Sequence, residues 1–182
     1  MDSRSPVLPP RASRLRAGRF RTRRLAPLLV SAALLLAAAG CGEDIDVRSA
    51  LEITDIVTGY YDVGIVDGKN KIVPSIAFRV RNASDRRIDS VQLNAVFRVE
   101  GDEEELGSML VRGIDTRGIG PGELSETFVM RSSLGYTGEQ PRSQMLQHKE
   151  FRDVQVELFA KHRAKQWVKI GQYRIDRQLL TR

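Results

Sequence analysis

Cysteine is nearly absent from this sequence: Cys41 is the only one in 182 residues. A domain without a second thiol forms no internal disulfide and builds no cysteine zinc cage, so its core must hold by packing alone. Histidine is scarce too, with only His148 and His162, and a zinc site takes three or four ligands at suitable spacing. No uncharged run reaches the roughly 20 residues of a membrane-spanning helix; the apolar stretch Leu25–Gly40 has 16. Lysine is missing from the first 40 residues, where arginine supplies all the side-chain positive charge. That bias makes the formal charge of +6 misleading. Eight of the 29 basic residues and one of the 23 acidic ones precede Cys41, which leaves 21 against 22 in the remainder. A domain with balanced charge has no general field drawing it to phosphates, so nucleic acid is not an expected partner.

What the chain does have, at its start, is a run of arginines. Arg11, Arg14, Arg16, Arg19, Arg21, Arg23 and Arg24 precede Leu25–Gly40, which ends Ala38-Ala39-Gly40 directly before Cys41. A positive segment, a short apolar segment and small residues at a cleavage site make a secretory signal. A cysteine directly after those small residues resembles the lipobox of bacterial lipoproteins. The resemblance implies that residues 1–40 are a signal peptide and that Cys41 is lipidated. Residues 41–49 then form a tether beginning with polar Gly42-Glu43-Asp44. Attachment through several acyl chains is stable where a single chain is marginal. The alternative is ordinary secretion, or a retained anchor, with a coincidental cysteine. Gly42 rather than Asp follows the cysteine. By resemblance to enterobacterial lipoproteins, this implies the cell envelope, at the outer membrane facing the periplasm.

From Cys41 onward 142 residues remain, enough for one domain that buries roughly two-thirds of its unfolded surface. There the apolar period becomes two. Ile76, Phe78 and Val80 alternate with Ser75, Ala77, Arg79 and Arg81; Val91, Leu93, Ala95, Phe97 and Val99 alternate with Gln92, Asn94 and Arg98. Val154, Val156 and Leu158 repeat the pattern, as do Val168 and Ile170, with Tyr173 and Ile175 resuming it out of phase after Gly171. These are half-buried strands, the last with a bulge or bend at the glycine. Leu51–Val57, Ser108–Ile114 and Leu124–Met130 are weaker strands, and Pro141–Lys149 is the one plausible helix. Asp67-Gly68-Lys69-Asn70, Asn82-Ala83-Ser84-Asp85, Gly101-Asp102 and Gly118–Gly122 supply turns. About seven short strands so separated predict an all-β sandwich over residues 50–182, with Phe78, Val80, Leu93, Phe97, Val156 and Leu158 sharing its interior.

Phe78-Arg79-Val80-Arg81-Asn82-Ala83-Ser84, then Ile88 and Val91–Phe97, then Ile119-Gly120-Pro121-Gly122-Glu123, resemble the immunoglobulin-like sandwiches of bacterial lipoproteins such as the FxLYD and LEA14-like groups. In those groups one strand ends in Asn-x-Ser/Thr and a Pro-Gly-Glu turn opens a later one. The resemblance implies an immunoglobulin-like sandwich; the fold hosts many unrelated activities.

The chemistry-bearing residues point away from catalysis. His162 falls in the basic turn Lys161-His162-Arg163-Ala164-Lys165 and is expected to be solvated, as is His148. Asp102-Glu103-Glu104-Glu105 is a consecutive acidic block at a hairpin tip, without the spaced ligands and glycine of a calcium loop. No serine sits in a Gly-x-Ser-x-Gly elbow. No catalytic, cofactor-binding or metal-binding residue is assigned. Trp167 is expected in the core, with a contact surface as the alternative because Lys165 and Lys169 flank it. The long connection Arg131–Phe151 is the expected partner site. The function expected is a membrane-anchored, non-catalytic binding or assembly module of the cell envelope. Its partners are the lipid membrane through Cys41 and an envelope protein. The alternatives are an accessory subunit of an envelope transport or secretion complex, or a ligand-binding or hydrolytic domain.

Overall fold

Period-two alternation sets which side chains enter the core. Ile72, Ile76, Phe78 and Val80 are all fully buried and lie in one strand, so they point to the same side of its sheet. The computed structural model describes residues 45–180. Within them nine strands form two sheets: β1 (Leu51–Val66), β2 (Lys69–Asn82), β3 (Val91–Val99), β4 (Glu105–Ile114), β5 (Phe128–Arg131), β6 (Tyr136–Gly138), β7 (Val154–His162), β8 (Val168–Arg174) and β9 (Leu179–Leu180). The first sheet runs β5-β2-β1-β9, with β6 also on β2; the second runs β4-β3-β7-β8. Every pairing is antiparallel except β1 with β9. The first, second and fifth strands thus oppose the third, seventh and eighth, which is the partition of an immunoglobulin-like sandwich. The chain is an all-β sandwich, and Phe78, Val80, Leu93, Phe97, Val156 and Leu158 belong to its one core cluster.

Local chemistry explains the joints. Asp67 and Gly68, both at positive φ (49° and 77°), make the two-residue turn between β1 and β2. That turn has the twist a hairpin requires. Pro74 lies within β2 but costs no bond of the ladder to β1. Its carbonyl accepts from Ser132 N, so its missing N–H faces the gap where β5 has ended and β6 has not begun. Asn82, at the end of β2, is fully buried and its side chain is saturated. Oδ1 accepts from Ser84 N (3.0 Å) and Ser84 Oγ (2.7 Å), while Nδ2 donates to the carbonyls of Arg86 (2.6 Å) and Ile119 (3.0 Å). The turn residues of the sequence therefore join two distant loops. Glu123 closes the other loop, its carboxylate accepting from Gly120 N at 2.7 Å.

The structure adjusts several boundaries. β1 is 16 residues long, not seven, because bulges interrupt its alternation between Thr54 and Val57 and between Asp62 and Gly64. The first of these carries Asp55 at φ 52°. The bulge expected beside Gly171 is present: Gly171 faces Leu158 and Lys169 faces Phe159, leaving Ile170 extra. The ladder of β5 starts only at Phe128, Leu124 making an isolated bridge to Arg81. The helix is shorter than Pro141–Lys149, comprising only α2 (Arg142–Met145) with Pro141 as its cap. A second helical turn, α1 (Val47–Ala50), buries Val47 and Ala50 against the core. The folded part therefore begins inside the stretch 41–49 assigned to the tether.

Candidate functional site

The connection between β5 and β7 is the place where the sequence puts a partner site, and most of it is fastened down. Met145, Leu146 and Phe151 are buried. The Tyr136 and Phe151 rings lie 4.4 Å apart, and Tyr60 meets Phe151 edge-on at 5.1 Å, the geometry that ring quadrupoles favour. Tyr136 Oη donates to the Arg152 carbonyl at 2.8 Å. Arg177 closes the cluster from outside: its guanidinium sits 5.1 Å from the Phe151 ring centroid and donates to the Phe151 carbonyl (3.2 Å) and to Asp153 (2.6 Å). Arg174 also binds Asp153. The Arg177 hydrogen bond, with help from Arg174, holds the Asp153 carboxyl below its usual range. Burial pushes the Tyr60 and Tyr136 phenols up. The cleft left between Tyr136, Met145, His148 and Phe151 is about 100 Å³, well under the roughly 300–1,000 Å³ of small-molecule sites.

A more open surface lies on the outer face of the first sheet. Val57 pairs with Ala77, and Ala77 with Val129, so three apolar residues form one row across β1, β2 and β5. Val57 is 50% exposed and Val129 46%. The next rows are covered by the chain itself. Arg131 stacks on the Tyr61 ring, its guanidinium carbon 3.3 Å from the centroid. Leu180 lies over Gly59 so closely that a Cβ there would sit 2.8 Å from Leu180 Cδ2. Val73 and Ser75 on the same face are buried as a result. Towards the other end, Arg79–Asp55 and Arg81–Glu52 ion pairs resume the polar surface. Val57 also borders, with Ile56 and Tyr173, a cleft of about 510 Å³ between the edge of β1 and the edge of β8.

The singled-out residues are dispersed. Cys41 lies outside the described residues. His148 is exposed, its Nδ1 accepting from Glu150 N at 3.3 Å. His162 is not solvated: it is the last residue of β7, paired with Val91 and only 5% exposed. The strand runs further than the charge pattern implied, and burial by the neighbouring strand overrides the polarity of the turn beyond it. The length of β7 separates the two histidines. Trp167 is not in the core; it is 39% exposed in the β7–β8 turn, with Lys161 Nζ 5.8 Å from its ring centroid. Among the described residues no three of His, Cys, Asp and Glu are grouped to hold a metal ion, and no helix is long and apolar enough to cross a membrane.

No family model and no curated protein matches this chain. Among solved structures it is similar to the X-ray structure of Northeast Structural Genomics Consortium target SoR45. The identity is 11%, over 71% of this chain and 89% of that chain, with a TM-score of 0.39. A likeness of that grade carries no functional argument.

The Val57–Ala77–Val129 row was not visible in the sequence. Ala77 falls on the polar side of an alternating strand, and only the register brings the two valines beside it.

Proposed function

We propose that this protein is a lipid-anchored, extracytoplasmic binding or assembly module of the cell envelope, acting without catalysis and carried by an immunoglobulin-like sandwich. The observation that supports a contact role is the Val57–Ala77–Val129 row, left bare between flanking rows that are covered or charged. Contiguous exposed apolar surface rimmed by polar groups marks protein contact sites. The anchor rests on the order Ala38-Ala39-Gly40-Cys41 after an arginine-rich, apolar leader, and delivery to the outer membrane facing the periplasm rests on Gly42.

Two experiments test the two halves. Labelled palmitate should enter the wild type and not Cys41→Ser; an unlabelled, freely soluble wild-type product rejects the anchor. For the contact, full-length protein carrying Val57→Arg and Val129→Arg should lose a partner recovered from solubilised envelope membranes with the wild type, while its circular dichroism is unchanged. If the partner stays bound, the row is not the contact. If that partner is a transport or secretion component, the accessory-subunit reading is the right form of the proposal.

A further inference from the structure

The turn between β7 and β8 belongs to the end of the sandwich at which the described chain begins. Ala83 N donates to the Ala50 carbonyl, and Asn82 Nδ2 to Ile119. Ile88 and Ile119 bridge each other, and Arg163 N donates to the Ser90 carbonyl. This chain of bonds ties α1 and the start of β1 to residues 163–167. α1 also packs on β7 and β8. The acidic tip Asp102–Glu105 lies beyond Val99, at the opposite end of β3 from Val91.

Trp167 stands out on this end. It is the only tryptophan in the chain, it is 39% exposed, and three cationic residues, Lys161, Arg163 and Lys165, precede it. Lys161 Nζ lies over its ring, whereas Arg163 is engaged by both carboxylate oxygens of Asp89. An amphipathic ring beside lysines is the combination that settles at the headgroup level of a bilayer, and anionic headgroups attract such lysines over a few ångströms. Cys41 is four residues before Ile45, and four extended residues span at most about 14 Å. An acyl group there keeps this end of the sandwich near the lipid surface.

We infer that Trp167, with Lys161 and Lys165, makes a second contact with the membrane, to anionic phospholipid headgroups, and orients the sandwich with its acidic tip away from the bilayer. This inference rests on the lipid-anchor reading. It is tested with the full-length acylated protein reconstituted into phosphatidylglycerol-containing vesicles with and without bromine on the acyl chains. Because Trp167 is the only tryptophan, its emission reports this site alone. Emission should shift to the blue on reconstitution and fall with the brominated lipid. Both effects should shrink in Lys161→Glu/Lys165→Glu, and at about 1 M salt, where the screening length is about 3 Å. Protein that floats with the vesicles yet shows the same emission with and without bromine overturns the contact and leaves the anchor standing. Protein without an acyl mass that does not float fails the anchor instead. An emission change seen only when envelope proteins are added assigns the surface to a protein and overturns the lipid contact.

Discussion

Across their central strands, the outer faces of the two sheets are built to opposite plans. On the second sheet, Glu157 is engaged by Arg98 and by Lys169; Lys169 also binds Gln172 (2.6 Å), which binds Gln155 (2.6 Å). The network crosses β3, β7 and β8 and satisfies its own members. Val96, pointing the same way between Ser108 and Glu157, is buried, in keeping with long polar side chains covering apolar surface with their stems. On the first sheet, Val57 and Val129 have no such cover; on the second, Leu110 on the edge strand β4, beside Asn94, lies outside the network and is 61% exposed. Strands whose side chains satisfy one another need no partner, whereas a bare row across three strands gains from one. This contrast directs the search for a binding surface to the first sheet.

Four perturbations break or sharpen the contrast. The largest effect belongs to the core that both faces share: Phe97→Ala should cost about 3–5 kcal/mol and unfold both sheets in one urea transition. Two separated transitions would show that the faces rest on independent units. Next, Glu157→Ala removes the carboxylate that Arg98 and Lys169 share on the partly buried network. It should cost about 1–3 kcal/mol by the same measurement, and a change near zero would mean the network is ornamental. Acid separates the regions as well. Asp153 is held below the usual carboxylate range by its hydrogen bonds to Arg177 and Arg174, and Asp89 by that to Arg163. A carboxyl depressed on folding contributes stability that is fully present above its unfolded value of about 4 and is lost as pH falls through the folded value. Acid titration of stability should therefore lose part of its slope in Asp153→Asn, and an unchanged slope would remove Asp153 from the account. The smallest effect is on the bare row: Val57→Ser and Val129→Ser should each alter stability by no more than about 0.5 kcal/mol. A larger loss would show that the row is packed rather than available.

Much of the sandwich was legible because its signal is local. Period-two alternation named the six inward residues, Gly171 announced its bulge, and Asn82 with Ser84 announced the turn that they close. β1 was read at less than half its length because two bulges break the alternation within it. β6 and β9, three and two residues long, have no pattern of their own; they are strands only because β2 and β1 lie beside them. His162 was misread for a related reason, since a histidine in a basic run reads as solvated until a neighbouring strand buries it. Trp167 went the other way, its size favouring the core while the turn holds it outside.

The sequence by itself determined that this chain makes an all-β sandwich without internal disulfides, where its principal strands and turns fall, and which side chains face inward. It determined these because alternation, turn chemistry and cysteine count are properties of neighbouring residues. The tertiary structure alone decided which outward residues are covered. Val57, Ala77 and Val129 come from three separate segments and meet only through strand register. Arg131 reaches Tyr61, and Leu180 reaches Gly59, only after the sheet has formed. Side-chain cover across strands is a nonlocal property, and it is what distinguishes the networked strands from the bare row.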